Sequence, residues 1–393
     1  MTNRFALITG VVLLVMLLSW SGLADHQRIA TEEQIATTER GTKYLSALEL
    51  DQFLSLLPPD SIPSIDVPRF ISAAEADEWL FLADLVMGVR HNGTTKVYPI
   101  RILNWHEVVN DDFDGEMVVV TYCPLCNSGV VFIAPELEGP DGELQIARFG
   151  TSGSLYKSDL IMYDRVTFSL WSQITGETIV GPLVGEIGVL HRIPVDLVPW
   201  GLWRDEHPNT IVLDRPQFGD VLGGAPTQPI EGAGLFPRDY DTDPYASYRL
   251  QNPEAGSSTS FGVPFFDERL QAKDDVIGIA VDGGAKAYAK TAFAELALLN
   301  DQVGETPILV VKTPAGELKF FDRQLAGREE PLEFELVDGN LVDRTTGSTW
   351  DFTGIGISGE LSGTQLEEIV GVPAFWFAWV AFHPETELFG GAQ

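Results

Sequence analysis

Apolar and polar positions alternate in short runs over most of the chain. Leu85–Arg90, Met117–Tyr122, Val130–Ile133, Val276–Val281, Ile308–Lys312 and Leu318–Phe321 are strand-length runs rich in β-branched residues. Asn92-Gly93 and Asp282-Gly283 mark tight hairpin turns, each followed by a return strand ending at Tyr98 or Tyr288. Helical spacing is rarer. It predicts helices over Pro99–Val109, with proline in the first turn, and over Ala289–Leu299, built from strong helix formers. Ala30–Leu57 and Glu75–Leu82 read as further helical stretches. Strands dominate, so the expected fold class is α+β with mostly antiparallel sheet.

The pattern recurs. At a constant offset of 190, Val86, Gly88, Gly93, Lys96, Tyr98, Asn110, Asp111 and Val120 fall on identical residues at Val276, Gly278, Gly283, Lys286, Tyr288, Asn300, Asp301 and Val310. Farther on, Asp164-Arg165, Trp171 and Thr175-Gly176 match Asp343-Arg344, Trp350 and Thr353-Gly354. Trp200, Trp203, His207 and Pro208 then match Trp376, Trp379, His383 and Pro384. Blocks in the same order imply two tandem repeats of one β unit, each with one main helix. The expected boundaries are a signal peptide at 1–24, a helical or extended lead-in at 25–83 and a first repeat at 84–215. A connection rich in Gly, Pro and Asp follows at 216–273, and a second, degenerate repeat at 274–393.

Met1–Arg4 carries a positive charge ahead of an apolar run from Phe5 to Trp20, with small residues up to Ala24. That order reads as an export signal cleaved after Ala24, or as an N-terminal anchor if uncleaved. The expected location is periplasmic or extracellular, with no other membrane insertion. Among 393 residues, Asp+Glu 57 against Lys+Arg 25 give a net charge of −32 at 45% hydrophobic content. Such a chain buries ordinary cores yet lacks the basic footprint that nucleic acid or anionic lipid requires.

Duplication supplies an internal control: residues kept in both copies are structural candidates, and residues in one copy only are candidates for chemistry. Tyr98, Asn110 and Asp111 read as packing and helix-end residues, and His207 and His383 as core or capping residues. Cys123 and Cys126, the only cysteines, occur in the first copy alone, with Cys123 facing Thr313. His106 faces Leu296 on an apolar stripe and should point inward, either to a backbone partner in the core or to the Cys-Pro-Leu-Cys turn. Trp105 is placed to shield a pocket there. The first copy also has seven more residues between Leu155 and Asp164 than the second has between Leu341 and Asp343. This Gly/Ser-rich stretch is either a solvated loop or brings Ser152, Tyr156, Lys157 and Asp159 around the same pocket.

Three readings of the cysteine turn compete. A metal knuckle would use Cys123, Cys126 and His106, with His91 or an acidic side chain as fourth ligand, for zinc or copper. Thiol–disulfide exchange requires a lowered thiol pKa, and no helix N-terminus follows the turn to lower it. The third reading is an inert pair in a non-enzymatic extracellular binding or structural module. Asp239, Asp241 and Asp243 alternate as a weak cation site, but Pro244 and Leu250 stand where an EF-hand requires Gly and Glu. Phosphate-loop and nucleophile-elbow signatures are missing from the sequence.

Several longer motifs carry a resemblance. Ile102-Leu-Asn-Trp-His-Glu-Val-Val-Asn110, Thr121-Tyr-Cys-Pro-Leu-Cys126, Leu170-Trp-Ser-Gln-Ile-Thr-Gly176, Tyr156-Lys-Ser-Asp-Leu-Ile-Met-Tyr-Asp-Arg165 and Arg238-Asp-Tyr-Asp-Thr-Asp-Pro-Tyr245 resemble the domain-of-unknown-function 3179 family of uncharacterised exported proteins. The likeness spans roughly residues 58–390. It implies no catalytic residue, substrate or cofactor, so the site proposal rests on the comparison between the copies.

Overall fold

The structure, a computed structural model, describes residues 53–217, 220–221, 238–249, 263 and 267–391. The signal segment at 1–24, the helical reading of 30–52 and most of the 216–273 connection lie outside those residues. Among the described residues, no helix is long and apolar enough to cross a membrane.

Strands dominate, and nearly all of their pairings are antiparallel. One sheet is ordered Val195–Pro199, Leu85–His91, Thr94–Pro99, Ile211–Leu213 and Phe70–Ser72. Beside it lies a sheet ordered Arg192–Ile193, Ser128–Ile133, Glu116–Cys123 and Val108–Phe113. A third is ordered Phe53–Ser55, Phe149–Tyr156, Asp159–Asp164, Leu170–Ser172 and Thr178–Val180.

The later part of the chain also builds three main sheets. Val372–Phe375, Asp275–Val281, Gly284–Ala289 and Glu387–Phe389 form the first. Leu298–Val303, Thr306–Lys312 and Leu318–Asp322 form the second. Phe334–Val337, Asn340–Asp343, Thr349–Trp350 and Gly356–Ser358 form the third. A parallel strand pairing in each half has the same setting: Ile211–Leu213 lies on Thr94–Pro99, and Glu387–Phe389 on Gly284–Ala289.

The same packing devices recur at matching residues. A methyl group on Gly88 would stand 2.2 Å from the Trp203 ring, and one on Gly278 would stand 2.2 Å from Trp379. Both strands therefore need glycine where a buried indole crosses them. Trp203 belongs to the helix Trp200–Glu206 and Trp379 to Trp376–Phe382. These helices end at His207 and His383, whose rings pack on the indoles at 4.1 and 4.0 Å. Lys96 and Tyr98 both bond Asp111, at 2.9 and 2.5 Å, as Lys286 and Tyr288 bond Asp301, at 2.9 Å each. Asn110 bonds both backbone groups of Phe149, and Asn300 does the same for Phe334.

Several element boundaries differ from the sequence expectation. The helix expected over Pro99–Val109 is Ile100–His106, because Glu107 turns to φ 57° and Val108 starts a strand. Asn110 and Asp111 are therefore strand residues in a buried polar network, not helix-end residues. Ala289–Leu299 holds only the 3₁₀ turn Lys290–Phe293, since Leu298 already pairs with Val311. Strand pairing there overrides good helix formers. Glu75–Leu82 reduces to the capped turn Ala73–Ala76, and Phe53–Ser55 is an edge strand paired with Ser154–Tyr156, not the end of a helix.

Candidate metal centre

The two cysteines close a hairpin. Cys123 ends the strand Glu116–Cys123 opposite Ser128, and the Cys126 N–H donates to the Cys123 carbonyl at 3.2 Å. Proline and a left-handed Asn127 (φ 48°) suit that tight reversal. Both side chains are buried, at 2% and 0% exposure, and both are free thiols.

A second hairpin meets this turn. Phe149–Tyr156 and Asp159–Asp164 are joined at Lys157-Ser158, both left-handed at φ 53° and 69°. The Gly/Ser-rich residues before Asp159 form this hairpin as buried strand, so the stretch is not a solvated loop. Its corresponding hairpin, Phe334–Val337 and Asn340–Asp343, is shorter. The longer hairpin delivers Asp159, at 0% exposure, to the cysteines. One ligand atom from each of Cys123, Cys126 and Asp159 lies within 4.8 Å of the others. Two tetrahedral zinc–sulfur bonds of ~2.3 Å would hold their sulfurs ~3.8 Å apart, so side-chain shifts of about an ångström bring all three atoms onto one ion. The Asp159 carboxylate also accepts from Ile174 N–H at 3.2 Å and Ser128 Oγ at 3.4 Å, while the Cys126 thiol donates to the Ser158 carbonyl at 3.3 Å.

Electrostatically the site is loaded with protons. Burial pushes both thiols up, most strongly Cys126. Burial also pushes Asp159 up to about 7, against the opposing pull of hydrogen bonds from Ile174 and both thiols. Glu107 is pushed up to about 8, first by burial and then by the charge of Asp159. Four acidic groups thus share a desolvated place, and a cation is what such a group can exchange for its protons. Nearby, the buried Tyr248 hydroxyl has no hydrogen-bond partner, and the Lys273 ammonium lies 3.4 Å above its ring.

The other expected residues go elsewhere. His106 is inward and fully buried, but its Nδ1 bonds the Pro63 carbonyl at 2.7 Å and its Nε2 the Tyr240 hydroxyl at 2.8 Å. It does not join the cysteine group; Asp159 stands in its place. His91 pairs with Glu116 and packs on Phe113. Ser152 Oγ donates to the Ile161 carbonyl at 2.6 Å, Tyr156 packs on Phe382, and Lys157 donates to the Ala381 carbonyl at 3.0 Å. Trp105 Nε1 donates to the Thr242 carbonyl at 3.2 Å. The weak cation site is occupied by protein donors. Asp239 accepts from Thr242, Asp241 from Arg101 and Arg215, and Asp243 from Asn104 and Arg249. Those bonds turn the three carboxylates to different partners.

Sequence reasoning missed Glu107 and Tyr248, together with Tyr245, whose hydroxyl is acted on by the charges of Glu107 and Cys123. Glu107 stands opposite Ala297 at the same offset of 190, so the comparison that singled out His106 also bears on its neighbour. Tyr245 and Tyr248 come from the connecting segment, which has no counterpart to compare. The site is also tied to the later half of the chain. Phe375 N–H donates to the Cys126 carbonyl at 2.7 Å, and Asn127 Nδ2 donates to Asp275 at 2.8 Å.

Among known proteins, a family model described as "Protein of unknown function (DUF3179)" matches residues 59–386. No curated protein and no solved structure matches the chain.

Proposed function

The chain belongs to the DUF3179 family, and from that premise we propose that it is an exported metal-binding protein whose centre is Cys123, Cys126 and Asp159. The observation that carries this reading is the convergence of the three ligand atoms within 4.8 Å in a fully buried place. Two thiolates and one carboxylate form a mixed soft and hard set that suits zinc, with a fourth position left for water or substrate. Glu107 and the Tyr248 hydroxyl would face that position as proton-holding groups. The two halves of the chain derive from one duplicated unit. The second has lost, or never gained, the cysteines and the longer hairpin, and it serves as a scaffold against which the cysteine turn docks. The apolar run at Phe5–Trp20 directs export.

Thiol–disulfide exchange is the second reading, favoured by one observation: Asp159 accepts from both thiols and so can take up a proton. Against it, thiols at 2% and 0% exposure are closed to a protein partner, and their pKa values are raised, not lowered. Metal analysis of protein purified without chelator separates the two. Loss of one zinc equivalent in Cys123→Ser and in Asp159→Asn, relative to the unaltered protein, supports the metal centre. A metal-free protein whose thiols cycle rapidly with a dithiol would replace it with exchange chemistry.

A further inference from the structure

The cysteine turn has a counterpart with different chemistry. At the offset of 190, Thr313-Pro314-Ala315-Gly316-Glu317 lies over Cys123-Pro124-Leu125-Cys126-Asn127. The two close alike: Gly316 N–H donates to the Thr313 carbonyl at 2.9 Å, as Cys126 does to Cys123. The cysteine turn leans on the later half of the chain, and the turn at 313–317 leans on the earlier half. There Gly316 and Glu317 line a cavity of about 270 Å³ with Leu85, Asp196, Leu202 and Lys319.

Glu317 has no local reason to be where it is. Its residue exposure is 2%, and among the described residues neither carboxylate oxygen has a hydrogen-bond partner. The Lys319 ammonium is 3.8 Å away and is already held by both oxygens of Asp196, at 2.6 and 2.8 Å. Facing it at the end of Trp200–Glu206, His207 keeps a buried Nε2 with no partner while its ring rests on Trp203. One ligand atom each from Glu206, His207 and Glu317 lies within 4.8 Å of the others. The surrounding charges do not oppose a cation: the carboxyl groups Asp196, Glu206, Glu317 and Glu368 stand among Arg90, 3.7 Å from Asp196, Lys319 and Lys290. His383, at the same place in the later half, is acted on by the cations Arg192 and Lys157, whereas His207 is acted on by the Asp196 carboxylate as well as by Arg90 and Lys319.

We propose that Glu206, His207 and Glu317 form a second metal site, bridging the two halves and taking a divalent transition cation through one imidazole and two carboxylates. Such a nitrogen and oxygen set suits zinc and leaves a coordination position open. A buried carboxylate without hydrogen bonds is costly, and the ion would offset that cost while fastening the turn to the helix end. The site is independent of the cysteine centre, so the two can fail separately.

The test is a zinc and cobalt titration of the purified protein in four forms: unaltered, Cys123→Ser/Cys126→Ser, that double variant with Glu317→Gln, and that double variant with the exposed Glu206→Gln. The double variant should retain one zinc equivalent and bind cobalt without a sulfur-to-cobalt charge-transfer band. Adding Glu317→Gln or Glu206→Gln should abolish that binding. Because Glu206 is exposed, its substitution leaves the fold intact, and circular dichroism confirms folding in each form. A folded double variant that binds no zinc, or one whose zinc survives both glutamate substitutions, overturns the proposal. Loss of the sulfur band in the double variant reports on the cysteine centre alone.

Discussion

Replacing His106 with Gln tests whether this imidazole is a neutral core group or a metal ligand. Both ring nitrogens are committed: Nδ1–H donates to the Pro63 carbonyl, so Nε2 accepts from the Tyr240 hydroxyl. Burial, then the charge of Arg238, lowers its pKa from 6.5 to about 4 against the opposing pull of Pro63. The folded state therefore binds fewer protons than the unfolded state between about pH 4 and 6.5, and stability from this group rises with pH across that window. The contribution is complete above pH 6.5 and is lost as pH falls toward 4. Each pH step is worth ~1.4 kcal/mol, so going from pH 7.5 to 4.5 should remove about 3 kcal/mol.

Urea unfolding followed by tryptophan fluorescence at the two pH values reads this directly. At pH 7.5, His106→Gln should cost about 1–3 kcal/mol for the two disrupted buried hydrogen bonds. At pH 4.5 that cost should shrink by about 3 kcal/mol, because the unaltered protein has lost its advantage. A cost equal at both pH values would refute the reasoning. Zinc stoichiometry should be unchanged in the variant, since His106 lies outside both ligand groups.

Gly88→Ala and Gly278→Ala should each destabilise by ~1–3 kcal/mol or more, because the new methyl group meets a buried indole at 2.2 Å. An unshifted urea midpoint in either variant would contradict the shared packing. Asp111→Ala should cost ~3–5 kcal/mol by leaving Lys96 buried without its partner. Asp301→Ala should cost less, because its side chain is 17% exposed against 5% for Asp111, and equal losses would tell against that ranking. Zinc affinity at the cysteine centre should weaken as pH falls, since burial raises both thiols and the metal must displace their protons. Competition with a chromophoric chelator at pH 6.5 and 8 measures this, and equal affinity at both would argue against thiolate ligands.

Local chemistry made part of this molecule readable from its residues. Asn92-Gly93 and Asp282-Gly283 adopt the paired left-handed turns their side chains favour, at φ 46° and 74° and at φ 48° and 75°. The Cys-Pro-Leu-Cys stretch lies in a hairpin turn followed by strand, as its flanks indicate. What local pattern does not specify is the partner of an inward side chain. His106 is inward, yet its partners Pro63 and Tyr240 lie 43 and 134 residues away in sequence. Glu317 escaped notice for a similar reason: its facing residues, Glu206 and His207, belong to the other half of the chain. The helix expected at Ala289–Leu299 failed because strand pairing from Leu298 outweighs a propensity of a few tenths of a kcal/mol per residue. Asp159 lay between these cases. The difference in length between the two aligned segments marked its hairpin, but only the folded chain separates it from Ser152, Tyr156 and Lys157.

X-ray absorption of the zinc-loaded Glu317→Gln variant, in which only the cysteine centre should bind, tests the central claim most directly. The account predicts two sulfur neighbours at ~2.3 Å and one or two oxygen neighbours at ~2.0–2.2 Å. A first shell without sulfur, or a folded variant that retains no zinc, would contradict it.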